Sequence, residues 1–285
     1  MHSHRGSVFF LLVLLATPAF AAETMRLMGA DENWSGSKRL QESVTVPAGI
    51  RLTLAAGTRV EFAPGAQILV AGTLHAQGTA EAPVVLLGAG AGNAALLDAG
   101  TQGARVLLNH TQLRDAGTGV SLRGTQLSAR ECTFIGCGTA ISLEIRSRGD
   151  MERVRFQDND LGLSVSNGSS CEAKQLRFAE NRVGMGISNS SRLRLEGATF
   201  DKNEVGYGQQ NACDVQLRDC TFQDNQIGAS LRQTRRSPAI SRSTFRNNTS
   251  GITARLFSHV LVEGSTFTDN RTAFDALNFC GAFLR

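Results

Sequence analysis

Oxygen-bearing side chains that could hold a hard cation recur at regular spacing in the second half of this 285-residue chain. The acidic members of the row are Asp158, Glu180, Asp224 and Asp269. Lys202 and Asn247 stand at two places where the row should continue. A Ca²⁺ site needs several oxygen ligands close together, so a broken row favours acids that solvate turns, with a calcium site as the minor alternative. We therefore predict no cofactor and no metal.

Histidine chemistry is sparse beyond the first few residues. His75, His110 and His259 stand far apart and show none of the short spacings typical of zinc ligands. No cluster of carboxylates with an arginine, as acid–base chemistry on a sugar polymer would need, is evident on one strand face. The sequence therefore predicts no catalytic residue.

Basic residues become frequent towards the C-terminal end, where Arg232, Arg235 and Arg236 form the densest group. We interpret them as a candidate polyanion patch, for lipopolysaccharide or an acidic glycan. The alternative is a solvated loop. The whole chain is nearly balanced, with 29 Lys and Arg against 25 Asp and Glu, so it has no electrostatic footprint for nucleic acid.

An internal repeat must position all of these residues. Seven phenylalanines recur at steps of 22 residues, with one step of 23: Phe134, Phe156, Phe178, Phe200, Phe222, Phe245 and Phe267. Asparagine follows three residues after six of them, at Asn159, Asn181, Asn203, Asn225, Asn248 and Asn270. Glycine follows six residues after five of them, beginning at Gly162. A fixed period of this length indicates a solenoid.

Apolar residues alternate with small polar residues inside each repeat, as in Leu163-Ser164-Val165. A spacing of two indicates strands with one buried face, whereas a helical repeat needs spacings of three and four. The sequence therefore predicts an all-β fold, a single-stranded parallel β-helix of about ten to eleven coils of ~22 residues each.

The repeated residues have predicted structural roles as a ladder. The Phe rings stack inside the coil, where burial of each contributes about 1.5–3 kcal/mol. The Asn side chains form hydrogen bonds up the stack in a turn. The Gly residues are expected to supply positive φ where the chain bends into the next strand. Tyr207 stands at an inward position and is expected to be a core tyrosine with a polar partner.

A row of outward side chains, four residues before each Phe, alternates in charge. It reads Arg130, Glu152, Lys174, Glu196, Arg218, Ser241 and Glu263. Opposite charges on neighbouring coils attract, each exposed pair contributing under about 1 kcal/mol. We interpret this row as control of strand register and not as a ligand site.

The chain resembles a known superfamily over roughly residues 34–275. Residues 44–84 open with VTVPAG and continue through Gly-Thr turns, after Trp34-Ser35-Gly36. With the F-x-x-N-x-x-G units, this resembles the secreted right-handed parallel β-helix proteins of the pectate-lyase-like superfamily. The resemblance implies a right-handed coil. It does not imply an activity, because that superfamily includes polysaccharide lyases and hydrolases, phage tailspikes, autotransported adhesins and periplasmic proteins that assist copper-enzyme maturation.

The N-terminal residues have the features of a cleaved signal peptide. Arg5 precedes an apolar run from Val8 to Ala16, and the small-residue pattern Ala19-Phe20-Ala21-Ala22 follows. The run is shorter than the ~20 residues that span a bilayer. The predicted organisation is a signal peptide at 1–22, an N-terminal cap at 23–43, the parallel β-helix at 44–275 and a C-terminal cap or tail at 276–285. We predict a periplasmic or secreted protein without a transmembrane segment.

Six cysteines would meet an oxidising compartment after export. Cys132 and Cys220 share a column but lie four coils apart, roughly 19 Å at strand spacing. A disulfide tolerates about 7 Å between its Cα atoms. Cys132 and Cys137 flank one bend, where a bond remains an alternative. We predict mostly free, buried thiols.

These patterns favour an exported, non-catalytic β-helix protein with a binding or scaffold role at the cell envelope. Its expected partner is a surface glycan or an envelope protein, and not nucleic acid. The alternative is a polysaccharide lyase or glycoside hydrolase that acts on an acidic polysaccharide. The resemblance alone suggests a third reading, an accessory role in metalloenzyme maturation, which the scarcity of His and Met does not support.

Expression of the full chain in a Gram-negative host should release a mature protein that begins at Ala22 or Glu23, as measured by intact mass. The change Leu12→Arg should abolish processing, because a charge interrupts the apolar run that export machinery recognises. A periplasmic protein that retains Met1 would contradict the assignment.

Overall fold

The computed structural model describes residues 25–90, 95–234, 236–278 and 280–284. The predicted signal peptide and Arg235 lie outside the described residues. Within the described part of the chain, no helix is long and apolar enough to cross a membrane.

Short strands follow one another along the whole described chain. The first third comprises β1 (Met25–Leu27), β2 (Glu32–Trp34), β3 (Ser37–Leu40), β4 (Ser43–Val46), β5 (Arg51–Leu54), β6 (Arg59–Phe62), β7 (Ile68–Val70), β8 (Thr73–Gln77), β9 (Val84–Gly90), β10 (Leu97–Ala99), β11 (Arg105–Asn109) and β12 (Thr111–Ala116). The middle third comprises β13 (Thr118–Arg123), β14 (Gln126–Arg130), β15 (Thr133–Ile135), β16 (Thr139–Glu144), β17 (Arg148–Glu152), β18 (Arg155–Gln157), β19 (Leu161–Val165), β20 (Ser170–Lys174), β21 (Arg177–Ala179), β22 (Val183–Ser188), β23 (Arg192–Glu196) and β24 (Thr199–Asp201). The last third comprises β25 (Val205–Gln210), β26 (Asp214–Arg218), β27 (Thr221–Gln223), β28 (Ile227–Arg232), β29 (Ala239–Ser241), β30 (Thr244–Arg246), β31 (Ser250–Arg255), β32 (His259–Glu263), β33 (Thr266–Thr268), β34 (Thr272–Ala276) and β35 (Gly281–Leu284).

Each strand pairs in parallel with the third strand after it, so three strands make one coil. Sheet A runs from β1 to β34 and sheet B from β2 to β35, with twelve strands each, and sheet C runs from β3 to β33 with eleven. The predicted parallel β-helix is confirmed, with about twelve coils where ten to eleven were expected. The first coil, β1 to β3, lies in the segment predicted as a cap. The last strand, β35, lies in the segment predicted as a tail.

The Phe residues of the sheet C strands form a continuous stack of rings in the interior of the solenoid. Neighbouring ring centroids lie 4.4–5.4 Å apart with interplanar angles of 1–13°. The rings from Phe134 to Phe245 are fully buried, whereas Phe267 at the end of the stack is only partly buried. Parallel pairing sets this spacing, because strands in a sheet lie about 4.8 Å apart.

The glycine column has a role other than the predicted one. Positive φ falls two residues after each Phe, as at Asp158 (+53°), and not at Gly184 or its equivalents. A Cβ on Gly184 would lie 2.6 Å from the carbonyl oxygen of Gly206 and 3.1 Å from the Cβ of Phe178. The expectation of positive φ at these glycines is wrong, because what excludes a side chain there is the close approach of the next coil and of the ring.

The Asn column forms a buried hydrogen-bonded ladder. The side-chain amide of Asn181 donates to the carbonyl oxygen of Phe156 at 3.0 Å and to Oδ1 of Asn203 at 3.0 Å. The backbone N–H of Asn181 donates to the same Oδ1 at 2.9 Å. Equivalent bonds continue from Asn159 to Asn270. A buried polar group without a partner lowers the stability of the fold by about 1–3 kcal/mol. Each Asn therefore stabilises the fold by giving hydrogen-bond partners to the Asn residues of adjacent coils as well as to its own amide.

A second polar column lines the buried side of the turns from sheet A to sheet B. Thirteen residues after Phe stand Ser147, Ser169, Ser191, Cys213, Ser258 and Cys280. The Oγ of Ser169 accepts from the backbone N–H of Ser147 at 3.1 Å, and the Sγ of Cys280 accepts from that of Ser258 at 3.1 Å. The Ser and Cys side chains therefore accept hydrogen bonds from backbone N–H groups in these turns, as the Asn side chains do in the turns of the ladder.

Tyr207 and Gln209 make the core locally polar. Tyr207 is fully buried, and its Oη donates to Oε1 of Gln209 at 2.8 Å. Burial raises the pKa of the Tyr207 phenol well above its ordinary value. The predicted core tyrosine with a polar partner is what the structure shows.

The change Phe200→Ala should lower the free energy of unfolding by about 3–5 kcal/mol, because it leaves a cavity between two stacked rings. Phe267→Ala is the matched control and should cost less, since Phe267 is partly exposed at the end of the stack. Urea denaturation followed by circular dichroism measures both. Equal losses for the two variants would contradict a continuous buried stack.

Candidate functional site

A hollow opens on the outer face of sheet B in the second half of the solenoid. It has a volume of about 420 Å³. Its floor includes Ala239 and Ser241, which pair in register with Gln216 and Arg218 of the coil before. Small side chains at these two places leave space that longer side chains fill in neighbouring coils. We call this hollow the sheet B groove.

Two outward rows line the sheet B groove. One row contains Glu172, Arg194, Gln216, Ala239 and Leu261, and the other contains Lys174, Glu196, Arg218, Ser241 and Glu263. These rows cross five coils, so the groove is roughly 19 Å long at strand spacing. Its shape suits an extended, polar ligand that lies along the solenoid axis.

Most of the groove's cations already have a carboxylate partner. Lys174 Nζ lies 3.5 Å from Glu196 Oε2, and Arg194 Nη2 lies 3.0 Å from Asp214 Oδ2. Hydrogen bonds from Arg194 and Arg192 hold the pKa of the Asp214 carboxyl below its ordinary value. Among the described residues, Arg218 forms no ion pair. It is therefore the guanidinium that a bound anion can engage without displacing a carboxylate.

The outward row with alternating charges has a more complex role than register control alone. Arg130 pairs with Glu152 at 2.6 Å and Lys174 with Glu196 at 3.5 Å, as the alternation requires. The same row then lines the groove, which the sequence interpretation missed. The available signal was the uncharged Ser241 in the row, next to the only 23-residue step of the Phe series.

The residues of the predicted polyanion patch lie on different parts of a coil. Arg232 ends β28 on sheet A, exposed, between Gln210 and Arg255 of the adjacent coils. Arg236 is exposed in the turn that leads to sheet B, and Arg235 lies outside the described residues. No described contact joins Arg232 to Arg236, and the patch stays a prediction.

The acidic row lies in the turns beside the Asn ladder. All four acids have positive φ: Asp158, Glu180, Asp224 and Asp269. Asp is among the residues that tolerate this conformation, which gives these positions a backbone role. Within the described residues, no group of three or more His, Cys, Asp or Glu side chains is arranged to hold a metal ion.

Burial in the fold determines the chemical properties of His75 and of most of the cysteines. Burial lowers the pKa of His75, whose ring lies 3.2 Å from the amide of Gln77. All six cysteines are free, and all except Cys280 are buried. Burial raises the pKa of the Cys171 thiol to about 12 and that of Cys132 to about 11, so both are poor nucleophiles near neutral pH.

Comparison with known proteins identifies the architecture. A family model described as a right handed beta helix region matches residues 118–267, and no curated protein matches the sequence. The A-module of mannuronan C-5 epimerase AlgE6 from Azotobacter vinelandii superposes with a TM-score of 0.60 at 13% identity, covering 87% of this chain and 91% of that chain. The AlgE4 A-module of the same organism gives a TM-score of 0.46 at 12% identity, covering 88% and 89%. At such identities the likeness concerns the fold alone.

Native protein treated with iodoacetamide at pH 8 should be labelled at Cys280 long before Cys171, because burial removes the Cys171 thiolate and blocks access. Peptide mass spectrometry measures the order, and denatured protein is the control in which all thiols react.

The same shift makes a pH prediction. The Cys171 thiol keeps its proton in the folded state up to about 12, whereas the unfolded thiol loses it near 9. The contribution of the Cys171 thiol to the free energy of unfolding is therefore fully present below about pH 9 and decreases as the pH rises towards 12, which urea denaturation at a series of pH values measures. Rapid labelling of Cys171 in folded protein would contradict its burial.

Proposed function

Since this chain belongs to the right handed beta helix family, whose stacked coils present long faces to extended ligands, we propose that it is an exported, non-catalytic protein that binds an acidic glycan along the sheet B groove. The observation that carries the proposal is the open groove across five coils with Arg218 in its wall. Export to the periplasm or the cell exterior, which rests on the predicted signal peptide, brings the groove to envelope glycans.

The chemistry of the groove supports a polymer of acidic sugars. Arg218 can hold a carboxylate through two parallel hydrogen bonds. Gln216 and Ser241 lie beside it and can donate to and accept from sugar hydroxyls. The carboxylates Glu172 and Glu196 repel wrongly placed anions, which adds selectivity for the spacing of charges along the polymer.

A second candidate function, a lyase or hydrolase on an acidic polysaccharide, is favoured by one observation. Glu196 lies in register between Lys174 and Arg218. Cations beside a sugar carboxylate make the neighbouring C–H more acidic, and a carboxylate in the same row can accept that proton. The name of the epimerase that shares the fold says that it acts on mannuronan, an acidic polysaccharide.

The change Arg218→Ala should weaken binding of alginate or polygalacturonate about tenfold or more, because a charge-assisted hydrogen bond contributes about 1.5–3 kcal/mol. Isothermal titration calorimetry on the mature protein measures this, and affinity should fall as NaCl rises. Arg155→Ala is the matched control, since Arg155 is exposed on sheet C and forms no ion pair among the described residues.

Two outcomes would overturn the binding proposal. One is that neither polymer binds, and the other is that Arg155→Ala weakens binding as much as Arg218→Ala. Accumulation of unsaturated oligosaccharides from either polymer, detected by ultraviolet absorbance, would replace it with the lyase.

A further inference from the structure

We propose a second ligand site on sheet B, a row of arginines that binds a linear polysaccharide in which acidic and neutral sugars alternate. The row consists of the first residue of seven consecutive sheet B strands, from β5 to β23. It reads Arg51, Thr73, Arg105, Gln126, Arg148, Ser170 and Arg192. We call it the arginine row. It shares no residue with the sheet B groove, so the proposal does not depend on the function proposed for that groove.

Arginine alternates with a neutral polar residue along the arginine row. Because the strands pair in register, the Cα atoms of arginines on alternate coils lie about 9.6 Å apart, twice the spacing between paired strands. This distance is close to the length of one disaccharide in an extended pyranose polymer. A polymer with one carboxylate per disaccharide can therefore place each acidic sugar beside an arginine, and each neutral sugar beside Thr73, Gln126 or Ser170.

The N-terminal part of this face is cationic because it lacks acidic side chains. The strands β5, β8, β11 and β14 contain no Asp or Glu. Arg51 and Arg105 are exposed, and neither forms an ion pair within the part of the chain that the structure describes. Asp31, on the coil before Arg51, accepts a hydrogen bond at Oδ1 from the backbone N–H of Arg51 at 2.8 Å. Both guanidinium groups can therefore hold a carboxylate through two parallel hydrogen bonds.

A neighbouring histidine responds to the charge of Arg51. Burial lowers the pKa of His75, and the positive charge of Arg51 lowers it further. The ring is therefore mainly uncharged at neutral pH. Its Nδ1 lies 3.2 Å from Nε2 of Gln77, and its Nε2 lies 3.5 Å from Nδ2 of Asn109. These neutral groups lie beside the row and can form hydrogen bonds with sugar hydroxyls.

The second half of the arginine row is only weakly neutralised. Arg148 Nη2 lies 3.7 Å from Glu172 Oε1, and Arg192 Nε lies 3.2 Å from Asp214 Oδ2. An exposed ion pair contributes under about 1 kcal/mol, so a carboxylate of the ligand can replace the protein carboxylate. The row from Arg51 to Arg192 is roughly 29 Å long at strand spacing, which matches the four acidic sugars of an alternating octasaccharide.

The pattern of the row distinguishes this ligand from other linear polyanions. A polymer with a carboxylate on every sugar would place every second charge beside Thr73, Gln126 or Ser170, where it loses water without gaining a cation. Single-stranded nucleic acid is usually held by bases that stack on aromatic side chains. The seven strands of the row contain no Phe, Tyr or Trp.

The experiment measures the binding of hyaluronan and heparosan octasaccharides to the full mature protein by isothermal titration calorimetry. Both probes have one carboxylate per disaccharide, and at least one of them should bind. Arg105→Ala should weaken that binding about tenfold or more, because it removes a charge-assisted contact at the centre of the free part of the row. Arg155→Ala on sheet C and Arg218→Ala in the sheet B groove are the controls and should leave the binding unchanged.

A charge-conserving variant tests the spacing itself. Arg105→Gln combined with Gln126→Arg keeps the net charge and moves one cation by a single coil. It should weaken octasaccharide binding about as much as Arg105→Ala, since the two-coil period is lost. Both positions are exposed, and melting temperature verifies that each variant is folded.

Four outcomes would overturn the proposal. They are that neither octasaccharide binds, that the charge-conserving variant binds as well as the unmodified protein, that Arg218→Ala abolishes the binding, or that a thymidine oligonucleotide binds more tightly than both sugars. Loss in Arg218→Ala would assign the binding to the groove, and tight oligonucleotide binding would assign the row to nucleic acid.

A mannuronan octasaccharide, with a carboxylate on every sugar, tests the alternation of the ligand. In the Arg218→Ala protein, where the groove no longer contributes, it should bind less tightly than the alternating octasaccharide despite its higher charge. Tighter binding of the mannuronan probe would show that the row responds to total charge and would also overturn the proposal.

Discussion

Each coil of this protein is held by parallel hydrogen bonds to the coil before it and the coil after it, and those bonds fix equivalent positions above one another. Phe178 therefore stacks on Phe200 with 4.8 Å between ring centroids, and Glu196 stands beside Arg218. A residue type repeated at this period becomes a column with collective properties, such as the ring stack and the amide ladder. A residue type that breaks the period becomes a local change in the surface.

The columns were predictable because periodicity is their cause. Phe and Asn recur with a period that identifies the solenoid, and alternation around Leu163 and Val165 identifies strands. The structural role of Gly184 was not predictable. The sequence does not show that the carbonyl oxygen of Gly206 on the next coil lies 2.6 Å from the position that a Cβ on Gly184 would take. The Ser and Cys column at the sheet A to sheet B turn was visible in the spacing, but Ser is common enough that its recurrence attracts little notice.

The sheet B groove shows why sites are harder to predict than folds. It arises from Ala239 and Ser241, whose small size matters only because Gln216, Arg218 and Leu261 surround them. A groove thus forms where side chains at equivalent positions of adjacent coils differ in size, whereas the core forms where those side chains are alike. The alternating charges of Lys174 and Glu196 serve register, and in this stretch the same side chains also border open space. The fold alone therefore does not determine which ligand binds, and the arrangement of individual side chains does.

One coil contains an extra residue, and its position has a consequence for how this surface can diversify. Arg232 pairs with Gln210 across 22 residues, but Ile240 pairs with Leu217 across 23, so the addition lies at the corner between them. The core absorbs it completely, because Phe245 still lies 4.4 Å from Phe222. The strand that follows, β29, has three residues where β26 and β32 have five. Insertions and deletions at this corner can therefore change the rim of the sheet B groove while the interior keeps its packing. The corner is thus a position where evolution or loop grafting can vary the ligand that the protein binds.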